Sequence, residues 1–585
     1  MAPAHRASLI RCTCALLWLL SLTGCERSSE PARHATNPPA AVVNLEWTKF
    51  VEEFIEDYLV ANPDFAVSAG RHEFDGRLRD LSADGVQNEI ARLEAMRERA
   101  GAFANDDLSP EERFQREYLL SVVDGDLFWL RDARFPFTNP AWYFGAGIDP
   151  NTYVNVPYAP VQERVRAFIR YAEQIPAAAQ HVRSNLETPL PRTHVDFAIS
   201  GFGGLARFYR NDVPQAFAEA SDEQLQSELR AAIEPAAKAL DELTAWFESQ
   251  RANATDDYAL GPERFAAMLR MTERVTTPLE RIEEIGRADL ERNLKALTEA
   301  CGRYAPNAAI EDCITRTQAD KPEGGPVEGA RQQLQELRKF VLDKALVSIP
   351  GTEEALVAEA PAYRRQNFAY ISIPGPYEKE LPSVYYIAPP DPSWSQAEQN
   401  AYIPGKADLL FTSIHEVWPG HFLQFLHTHR SPWRFGQLFV GYAYAEGWAH
   451  YSEELMVEAG IAEGSPERQV GQLLNALLRN VRYMCAIGLH TKDMSIGECE
   501  RMFREQAYQD PGAARQQAAR GAYDPAYLNY TLGKLMIRKL RADWSAPRGG
   551  QTAWKQFHDE FLSMGGPPIP LVRAQMLQEE AGELF

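Results

Sequence analysis

Residues 411–454 read FTSIHEVWPGHFLQFLHTHRSPWRFGQLFVGYAYAEGWAHYSEE, and this stretch decides how the chain folds and what it can bind. Its first two histidines are His415 and His421. A helix that binds a metal through two histidines usually places them at i and i+4, on one face. Here the second histidine stands at i+6, which lies far around an ideal helix from i. Both can reach one metal only if Pro419 and Gly420 distort the helix between them.

The same stretch offers a complete set of zinc ligands. His415 and His421 can bind Zn²⁺ through neutral imidazole nitrogens at ~2.0–2.1 Å, and Glu446 can supply a third ligand, which leaves the fourth position to water. His450 lies four residues after Glu446, on the same face of the next predicted helix. His450 is the alternative ligand if the turn at Pro419-Gly420 does not bring His421 to the metal. If His421 does bind the metal, His450 is expected to support one of the ligands by a hydrogen bond. One zinc ion is the expected cofactor.

Glu416 follows a ligand in the sequence and is the expected general base. Its carboxylate can accept the proton of a zinc-activated water and pass it to the leaving amine of an amide. Glu453 and Glu454 are alternative carboxylates for this proton transfer. The plainer alternative is that the two histidines belong to the core and that the glutamates are solvated.

The N-terminal 25 residues have the features of a signal peptide. Two arginines precede the apolar residues 15–22, which are too few to span a bilayer. The segment Leu22–Cys25 (LTGC) resembles a bacterial lipobox, which implies cleavage before Cys25 and lipidation of that cysteine. An ordinary secretory signal with a chance cysteine is the alternative.

Residues 26–45 are rich in Ser, Pro and Ala, which predicts a flexible tether between the lipid and the domain. Glu26 follows the cysteine in place of the Asp associated with inner-membrane retention, and this favours the outer membrane. No later run is long and apolar enough for a transmembrane helix. We therefore expect a chain that faces the periplasm of a bacterial envelope and touches the membrane only through its N-terminal lipid.

Composition and charge indicate an ordinary globular protein and argue against a nucleic-acid-binding one. Of the 585 residues, 45% are hydrophobic and 24% are charged, as in ordinary globular proteins. No repeat or linker divides residues 46–585, so we expect one catalytic domain. The net charge of −21 argues against nucleic acid as a partner.

Four of the seven cysteines lie in the predicted domain. An even number in an oxidising compartment favours disulfides, and the short spacings make two local bonds the simplest pairing, Cys301–Cys313 and Cys485–Cys499. Free buried thiols are the alternative. None of these cysteines has the C-x-x-C spacing of a thiolate metal site.

Most of the chain has the apolar periodicity of amphipathic helices. The first helix begins near Trp47 and stops at Asn62-Pro63. Similar periodicity predicts helices at 86–103, 111–131, 160–182, 222–250, 278–301, 327–345, 405–430, 436–459, 466–490, 495–508 and 527–543.

Two regions lack this periodicity. Residues 132–160 are rich in aromatic residues, Gly and Pro, and form either the wall of a substrate cleft or irregular structure on the core. Residues 367–388 hold two β-rich runs joined by a turn, which predicts a hairpin. Tyr385 and Tyr386 on its second strand are expected to help bind a peptide by strand addition.

Two motifs, HEVWPGH at 415–421 and AEGWAHY at 445–451, resemble those of the bacterial lipoprotein family called domain of unknown function 885. Residues 62–82 resemble its opening segment and residues 557–571 its closing helices, so the resemblance covers most of the predicted domain. The family is similar to the zincin metallopeptidases. The resemblance implies a mainly α, zincin-like all-helical domain with a deep cleft, in which the hairpin precedes the His415 helix.

Two further stretches resemble the family and imply functional roles for single residues. VRYMCAIGLHTKDMS at 481–495 resembles its R-x-x-x-D-x-G-x-H stretch and implies roles for Arg482 and His490. The resemblance of YTLGKLMIRKLR to its later helix adds Tyr530. Tyr530 and His490 are then candidates for stabilising an oxyanion, and Arg482 for binding a peptide carboxylate. Core packing and a structural salt bridge are the alternatives. One departure is visible, since Ala486 stands where the family has Asp.

Three functions follow from these observations. The preferred one is a zinc-dependent metallopeptidase that hydrolyses short peptides at the cell envelope. The second is a non-catalytic lipoprotein that kept the fold and binds a peptide or an envelope partner without metal, which the i+6 spacing and Ala486 motivate. The third is a zinc amidohydrolase that acts on a non-peptide amide with the same residues.

Overall fold

The computed structural model describes residues 44–361, 368–378, 380–390, 393, 395–578 and 583–585. The predicted signal peptide, the predicted lipidation site Cys25 and nearly all of the predicted tether lie outside these residues. The tether prediction ran slightly too far, because Leu45 is already the first residue of a helix.

The described residues are mainly helical, as predicted, and contain one small sheet. In chain order the elements are α1 Leu45–Ala61, α2 Pro63–Ser68, α3 Ala83–Gly101, α4 Pro110–Leu127, α5 Phe135–Thr138, α6 Asn151–Asn155, α7 Val161–Ala172, α8 Ile175–Asn185, α9 Arg192–Ala216, α10 Glu223–Gln250, α11 Pro262–Glu273, α12 Leu279–Tyr304, α13 Ile310–Ala319, α14 Gly325–Asp343, β1 Leu356–Glu359, β2 Ala369–Ser372, β3 Val384–Ile387, α15 Gln396–Tyr402, α16 Lys406–Glu416, α17 His421–Thr428, α18 Arg434–Leu438, α19 Tyr442–Glu458, α20 Pro466–Thr491, α21 Ile496–Glu505, α22 Pro511–Tyr523, α23 Asn529–Ser545, α24 Trp554–Leu562 and α25 Ile569–Leu577.

Helix α1 shows how local sequence sets an element. The Asn44 side chain accepts hydrogen bonds from the backbone N–H groups of Glu46 and Trp47, which is a typical N-cap. Apolar residues spaced at i, i+3 and i+4 bury one face of the helix. The helix ends at Asn62, and Pro63 begins α2, because proline is tolerated in the first turn of a helix.

The predicted hairpin is part of a larger sheet. Strands β2 and β3 pair in antiparallel fashion, with Tyr370 opposite Tyr386. A third strand, β1, adds to β3 in parallel, so the strand order is β1-β3-β2. Strand β1 escaped prediction because its residues LVAE include one strong strand former, Val357, whereas β2 and β3 are rich in Tyr, Ile and Val.

Helix α9 is the longest element that the sequence pattern did not predict. It runs for 25 residues although Gly201, Gly203 and Gly204 interrupt its apolar pattern and Pro214 lies inside it. Glycine and proline are weak helix formers, so local propensity argues against a helix here. Packing overrides propensity, since α9 buries one face against α10 along their lengths.

The helices that carry the chemistry-bearing residues pack closely on one another. Helices α19 and α23 approach so closely at Gly447 and Gly533 that a Cβ on Gly447 would lie 2.5 Å from the Cα of Gly533. Helix α20 is buried along most of its length and contacts both α16 and α19. The ends of these helices are therefore held together by backbone contact, which fixes the side chains between them.

The structure contains both disulfides of the predicted pairing. Cys301 is bonded to Cys313 and Cys485 to Cys499, with Cα–Cα distances of 5.7 and 5.6 Å. The first joins α12 to α13 and the second joins α20 to α21. Among the described helices, none is long and apolar enough to cross a membrane.

Candidate metal centre

The helix that was predicted to span 405–430 is broken where the histidine spacing required it. Helix α16 ends at Glu416, and α17 begins at His421. The carbonyl of Pro419 accepts a hydrogen bond from the Trp448 side chain at 2.8 Å, so α19 holds the break in place. A Cβ on Gly420 would lie 1.8 Å from the carbonyl oxygen of His415, so only glycine fits this turn.

The break brings three potential ligand atoms together. Glu446 Oε2 lies 3.3 Å from His415 Nε2 and 3.4 Å from His421 Nε2. All three ligand atoms lie within 4.8 Å of one another. Ligands at ~2.0–2.1 Å from a tetrahedral zinc are separated by about 3.3–3.4 Å, so the two carboxylate–imidazole distances match the edges of such a site.

His415 is oriented by a buried ion pair behind it. Its Nδ1 lies 2.8 Å from Glu453 Oε1, and Arg479 lies 3.1 Å from the same carboxylate. Burial alone would raise the pKa of Glu453, but Arg479 and His415 hold it far below its usual value. An ionised Glu453 accepts the Nδ1 proton, which leaves the Nε2 lone pair of His415 directed at Glu446.

The charge balance of this cluster favours a cation. Burial lowers the pKa of His415, yet the neighbouring carboxylates of Glu446 and Glu453 raise that pKa to about 9. Glu446 Oε2 is buried and has no hydrogen-bond partner of good geometry. Histidines must be neutral to bind a metal. Arg479 then pairs with Glu453, while Glu446 has no lysine or arginine of the described residues within 4.0 Å, and this unpaired carboxylate suits a metal cation.

Glu416 is placed as a base beside these ligands rather than as one of them. It is the last residue of α16, and its Oε2 accepts a hydrogen bond from the backbone N–H of Ile371 on β2 at 3.1 Å. Burial raises the pKa of Glu416, with a smaller opposing effect of His415. The hairpin and the metal-binding helix therefore meet at this carboxylate.

Tyr530 lies on the other side of His415. The two rings are 6.3 Å apart and nearly parallel, and the Tyr442 ring lies 5.8 Å from Tyr530. The guanidinium groups of Arg479 and Arg482 lie 5.8 and 5.1 Å from the centre of the Tyr530 ring. Burial and the charge of Glu446 raise the pKa of Tyr530, so its hydroxyl is a hydrogen-bond donor at neutral pH.

The prediction for His490 was wrong. Its Nε2 lies 2.7 Å from the carbonyl of Gly521, and its Nδ1 accepts the backbone N–H of Leu260 at 3.3 Å. Both ring nitrogens are therefore occupied by backbone groups, and the ring stacks on Phe265. Burial lowers the pKa of His490 to about 4. His490 therefore joins the backbone at Leu260 and Gly521 to α20. Neither of its ring nitrogens is free to donate a hydrogen bond to an oxyanion.

The prediction for Tyr385 was also wrong, because strand β3 turns this side chain into the core. Tyr385 has no exposed surface, and its hydroxyl lies 3.4 Å from Ser413 on α16. A residue buried in this way cannot contact a substrate. Tyr386 points to the other face of the strand, where its ring stacks on Tyr370 at 5.3 Å, so its role stays a prediction.

His450 does not belong to the group of converging ligands. It is fully buried, and the nearest carboxylate oxygen, on Glu453, is 3.6 Å from its Nδ1. Neither ring nitrogen has a hydrogen-bond partner. The structure therefore brings His421, and not the alternative His450, to His415 and Glu446.

Two supporting residues escaped the sequence analysis in this role. Glu453 was considered only as a base, and Arg479 was not considered. Glu453 lies seven residues after Glu446, which is two helical turns and so the same face. Arg479 lies three residues before Arg482, on the same side of α20. These spacings are visible in the sequence, but only the packing of α16, α19 and α20 shows that Glu453 and Arg479 lie beside His415.

A cavity of about 820 Å³ is lined by Tyr442, whose ring lies 5.8 Å from that of Tyr530, but by none of the candidate metal ligands. Its wall includes Trp142 and Phe144 from the segment 132–160, which the sequence analysis proposed as one wall of a cleft. Its wall also carries carboxylates and the two arginines Arg77 and Arg79, and it is large enough for a few amino-acid residues.

Comparisons with known proteins agree with the overall fold. A family model described as "Bacterial protein of unknown function (DUF885)" matches residues 63–576. A structure described as a lipoprotein of unknown function from Shewanella oneidensis is 22% identical, with a TM-score of 0.75, over 91% of this chain and 99% of that chain. A structure described as "the putative lipoprotein from Colwellia psychrerythraea" is 17% identical, with a TM-score of 0.78, over 91% of this chain and 98% of that chain. None of the curated proteins compared with this chain matches it.

A structure described as an oligoendopeptidase F from Bacillus anthracis str. Ames is 14% identical over 84% of this chain and 95% of that chain. Its TM-score of 0.28 is too low to indicate a common fold. The two lipoprotein structures therefore support the fold, and the chemistry has to be argued from the residues of this chain.

Proposed function

We propose that the chain, which belongs to the DUF885 family, is a zincin-like, zinc-dependent peptidase that hydrolyses short peptides. One observation carries this proposal. Glu446 Oε2 stands 3.3 and 3.4 Å from the Nε2 atoms of His415 and His421, as ligands of one tetrahedral zinc would. In a core without metal, a carboxylate oxygen placed between two histidines would be expected to make a hydrogen bond of good geometry to at least one of them.

The residues around the ligands support hydrolysis rather than structural metal binding. When bound, zinc would activate a water and polarise the carbonyl of the scissile bond. Three protein ligands leave a position for that water, whereas structural zinc sites usually have four. Glu416 would accept the proton of the water, since burial raises its pKa and Ile371 orients one of its oxygens. It would then donate the proton to the leaving amine.

Tyr530 would stabilise the negative charge that develops on the carbonyl oxygen. Its ring lies against His415, and its hydroxyl stays protonated at neutral pH because burial raises its pKa. The guanidinium groups near its ring add positive potential on the same side. Such pre-arranged donors act most strongly in sites that are shielded from bulk water.

The cavity argues for short, unfolded substrates. Its volume of about 820 Å³ accommodates a few residues but no folded domain. Its aromatic wall suits apolar side chains, and Tyr442 leads from it to the metal centre. A non-peptide amide of similar size is the alternative substrate, and profiling of both classes separates them.

For location, we propose a lipid-anchored protein of the bacterial envelope that faces the periplasm, with the outer membrane favoured. The lipobox-like segment Leu22–Cys25 supports this, and the two similar structures are described as lipoproteins. Both disulfides fit an oxidising compartment. Mass analysis of the mature N-terminus should find a diacylglyceryl Cys25, and an unmodified N-terminus elsewhere would refute the anchor.

The function is tested by measuring zinc content and hydrolysis of a short-peptide library with the purified protein and with Glu416→Gln. Glutamine keeps the size and the hydrogen bond to Ile371 but cannot accept a proton. We expect stoichiometric zinc in both proteins and a loss of ~10²–10⁴-fold in hydrolysis for the variant. Glu463→Gln, on an exposed glutamate, serves as the matched control and should behave as wild type.

Three results would overturn the proposal. Absence of zinc from the wild-type protein would favour the non-catalytic binding protein. Loss of zinc in Glu416→Gln would make Glu416 a ligand. Full activity of a zinc-loaded Glu416→Gln would assign the proton transfer to another carboxylate.

A further inference from the structure

Arg482 is a buried cation near the metal centre that lacks an acidic partner. The residue is only 9% exposed. Its Nε donates a hydrogen bond to the side chain of Gln517 at 2.8 Å. Neither Nη atom donates to a described residue, and neither is closed off from solvent. No carboxylate of the described residues lies within 4.0 Å of its guanidinium, as the ion pairs found in these ranges show.

The neighbouring arginines differ from Arg482 in this respect. Arg479 pairs with Glu453 at 3.1 Å, and Arg520 pairs with Asp524 at 2.8 Å. The position one helical turn after Arg482, where an acid on the same helix would pair with it, is Ala486. A buried guanidinium without an anion is costly, so this arrangement favours an anion from outside the chain.

Arg482 lies close enough to the candidate zinc ligands to contact a substrate residue just beyond the scissile bond. Its guanidinium is 5.1 Å from the centre of the Tyr530 ring, and that ring is 6.3 Å from the ring of His415. Along α20, Arg482 is three residues beyond Arg479, or about 4.5 Å, and Arg479 touches the carboxylate that orients His415. An extended peptide advances ~3.3 Å per residue, so the guanidinium is within reach of the first or second residue beyond the scissile bond.

We propose that Arg482 binds the free α-carboxylate of the substrate through Nη1 and Nη2, and that the enzyme therefore removes one or two residues from the C-terminus of short peptides. The proposal rests on the proposed peptidase function. Guanidinium and carboxylate form a planar pair with two parallel hydrogen bonds, and Gln517 at Nε fixes the plane while leaving both Nη atoms to the ligand. A C-terminal amide presents neither the charge nor the second acceptor oxygen.

The test compares pairs of N-acetylated peptides of three to five residues that differ only in a free or an amidated C-terminus. For wild type we expect kcat/KM to be at least about 30-fold higher on the free acids, as for loss of one partner of a buried charged pair. Arg482→Gln should lower that ratio to near 1, because it loses far more activity on the acids, which lose their carboxylate partner, than on the amides. Arg482→Lys should recover part of the ratio, because it keeps the charge without the fork.

Arg520→Gln is the matched control, since it removes a nearby guanidinium that already has an acidic partner. It should keep the ratio of acid to amide. An equal loss on both peptides in Arg482→Gln would show a structural role and overturn the proposal. Equal cleavage of both peptides by the wild type would overturn it as well and leave the peptidase function standing.

Binding measurements separate the two proposals if no peptide is hydrolysed. Calorimetry on zinc-loaded Glu416→Gln gives the affinity ratio of the acid and amide peptides without turnover. Tighter binding of the acids, lost in the double variant with Arg482→Gln, would support the carboxylate site although the peptidase function had failed. Equal affinities would overturn the carboxylate site by itself.

Discussion

Glu453 and Glu454 are adjacent on α19 and both are buried, yet they belong to two different clusters of charge. Glu453 faces His415 and Arg479 at the metal centre. Glu454 faces the opposite way, into an ion cluster that joins α12, α19 and α23. We define this ion cluster as Asp289, Arg292, Glu454, Lys534 and Arg538.

The two clusters differ in how completely their charges are matched. In the ion cluster, two carboxylates face three fixed cations, and Lys534 Nζ lies 2.6 Å from Asp289 and 3.6 Å from Glu454. At the metal centre, Arg479 pairs with Glu453, but Glu446 has no lysine or arginine of the described residues within 4.0 Å, and its Oε2 has no hydrogen-bond partner. Burial and charge are common to both clusters. The unmatched negative charge alone distinguishes a place for a ligand from a structural ion cluster.

The distinction between the two clusters would fail if zinc binding did not require the three ligands that converge at the metal centre. His421→Ala removes one of three protein ligands and should abolish stoichiometric zinc, which elemental analysis of the purified protein measures. His450→Ala is the control, because His450 is as deeply buried but lies outside the converging atoms. Zinc retained in the first variant and lost in the second would make His450 the ligand.

Loss of a cation from the ion cluster should affect stability and leave zinc in place. Lys534 is fully buried, and Lys534→Met removes the 2.6 Å ion pair with Asp289, so that only the partly exposed Arg292 and Arg538 remain beside the two buried carboxylates. We expect the free energy of unfolding to fall by about 3–5 kcal/mol, measured by urea denaturation. Lys539→Met, on the same helix, breaks a partly exposed pair with Asp543 and should cost less than about 1 kcal/mol. Similar losses in both variants would contradict a buried network.

The orienting role of Glu453 gives a smaller effect on the metal. Glu453→Gln keeps an acceptor near His415 Nδ1 but removes the charge that Arg479 supports. Substitution of a residue that orients a ligand typically costs 10–100-fold in metal affinity, which competition with a chelator measures. Glu454→Gln next to it should leave the affinity unchanged. An effect of the same size in both would mean that the two clusters are coupled.

The smallest expected effect is the response of Glu454 to acid. Burial alone would raise the pKa of Glu454, yet the cations around it lower it from 4.5 to about 2. A lowered pKa stabilises the fold above pH 4.5, and this stabilisation is lost as the pH falls towards 2. Between pH 7 and pH 4 the loss should be about 1 kcal/mol. Urea denaturation at both pH values should show a loss of stability that is larger in wild type than in Glu454→Gln by this amount, because other carboxylates with lowered pKa values contribute equally to both proteins. Equal losses in the two proteins would refute the prediction.

Local sequence was sufficient to predict much of the fold and most of the candidate zinc ligands. The cap at Asn44 and the stop before Pro63 set α1, and the short cysteine spacings were sufficient for both disulfides. The i+6 spacing and the Pro-Gly pair indicated that the ligand helix must break, as it does between α16 and α17. These features depend on contacts between residues close in sequence, so they can be read without a tertiary structure.

Residues whose role depends on distant parts of the chain were the ones misjudged. His490 and Tyr385 carry polar groups suited to catalysis, but helix and strand packing turn both into the core. Conversely, Arg479 becomes part of the site only because α20 lies against α16. A side chain's residue type limits what it can do, while its burial and its partners decide what it does.

The sequence by itself determined the kinds of atoms available at this site, namely imidazole nitrogens, carboxylates and the glycine that permits the turn. Only the tertiary structure decided which of them meet. It brought His421 rather than His450 to Glu446, gave Glu453 a cation and left Arg482 without an acid. The physical reason is that electrostatic and coordination energies change over ångströms, and such distances between helices far apart in the chain are set by core packing.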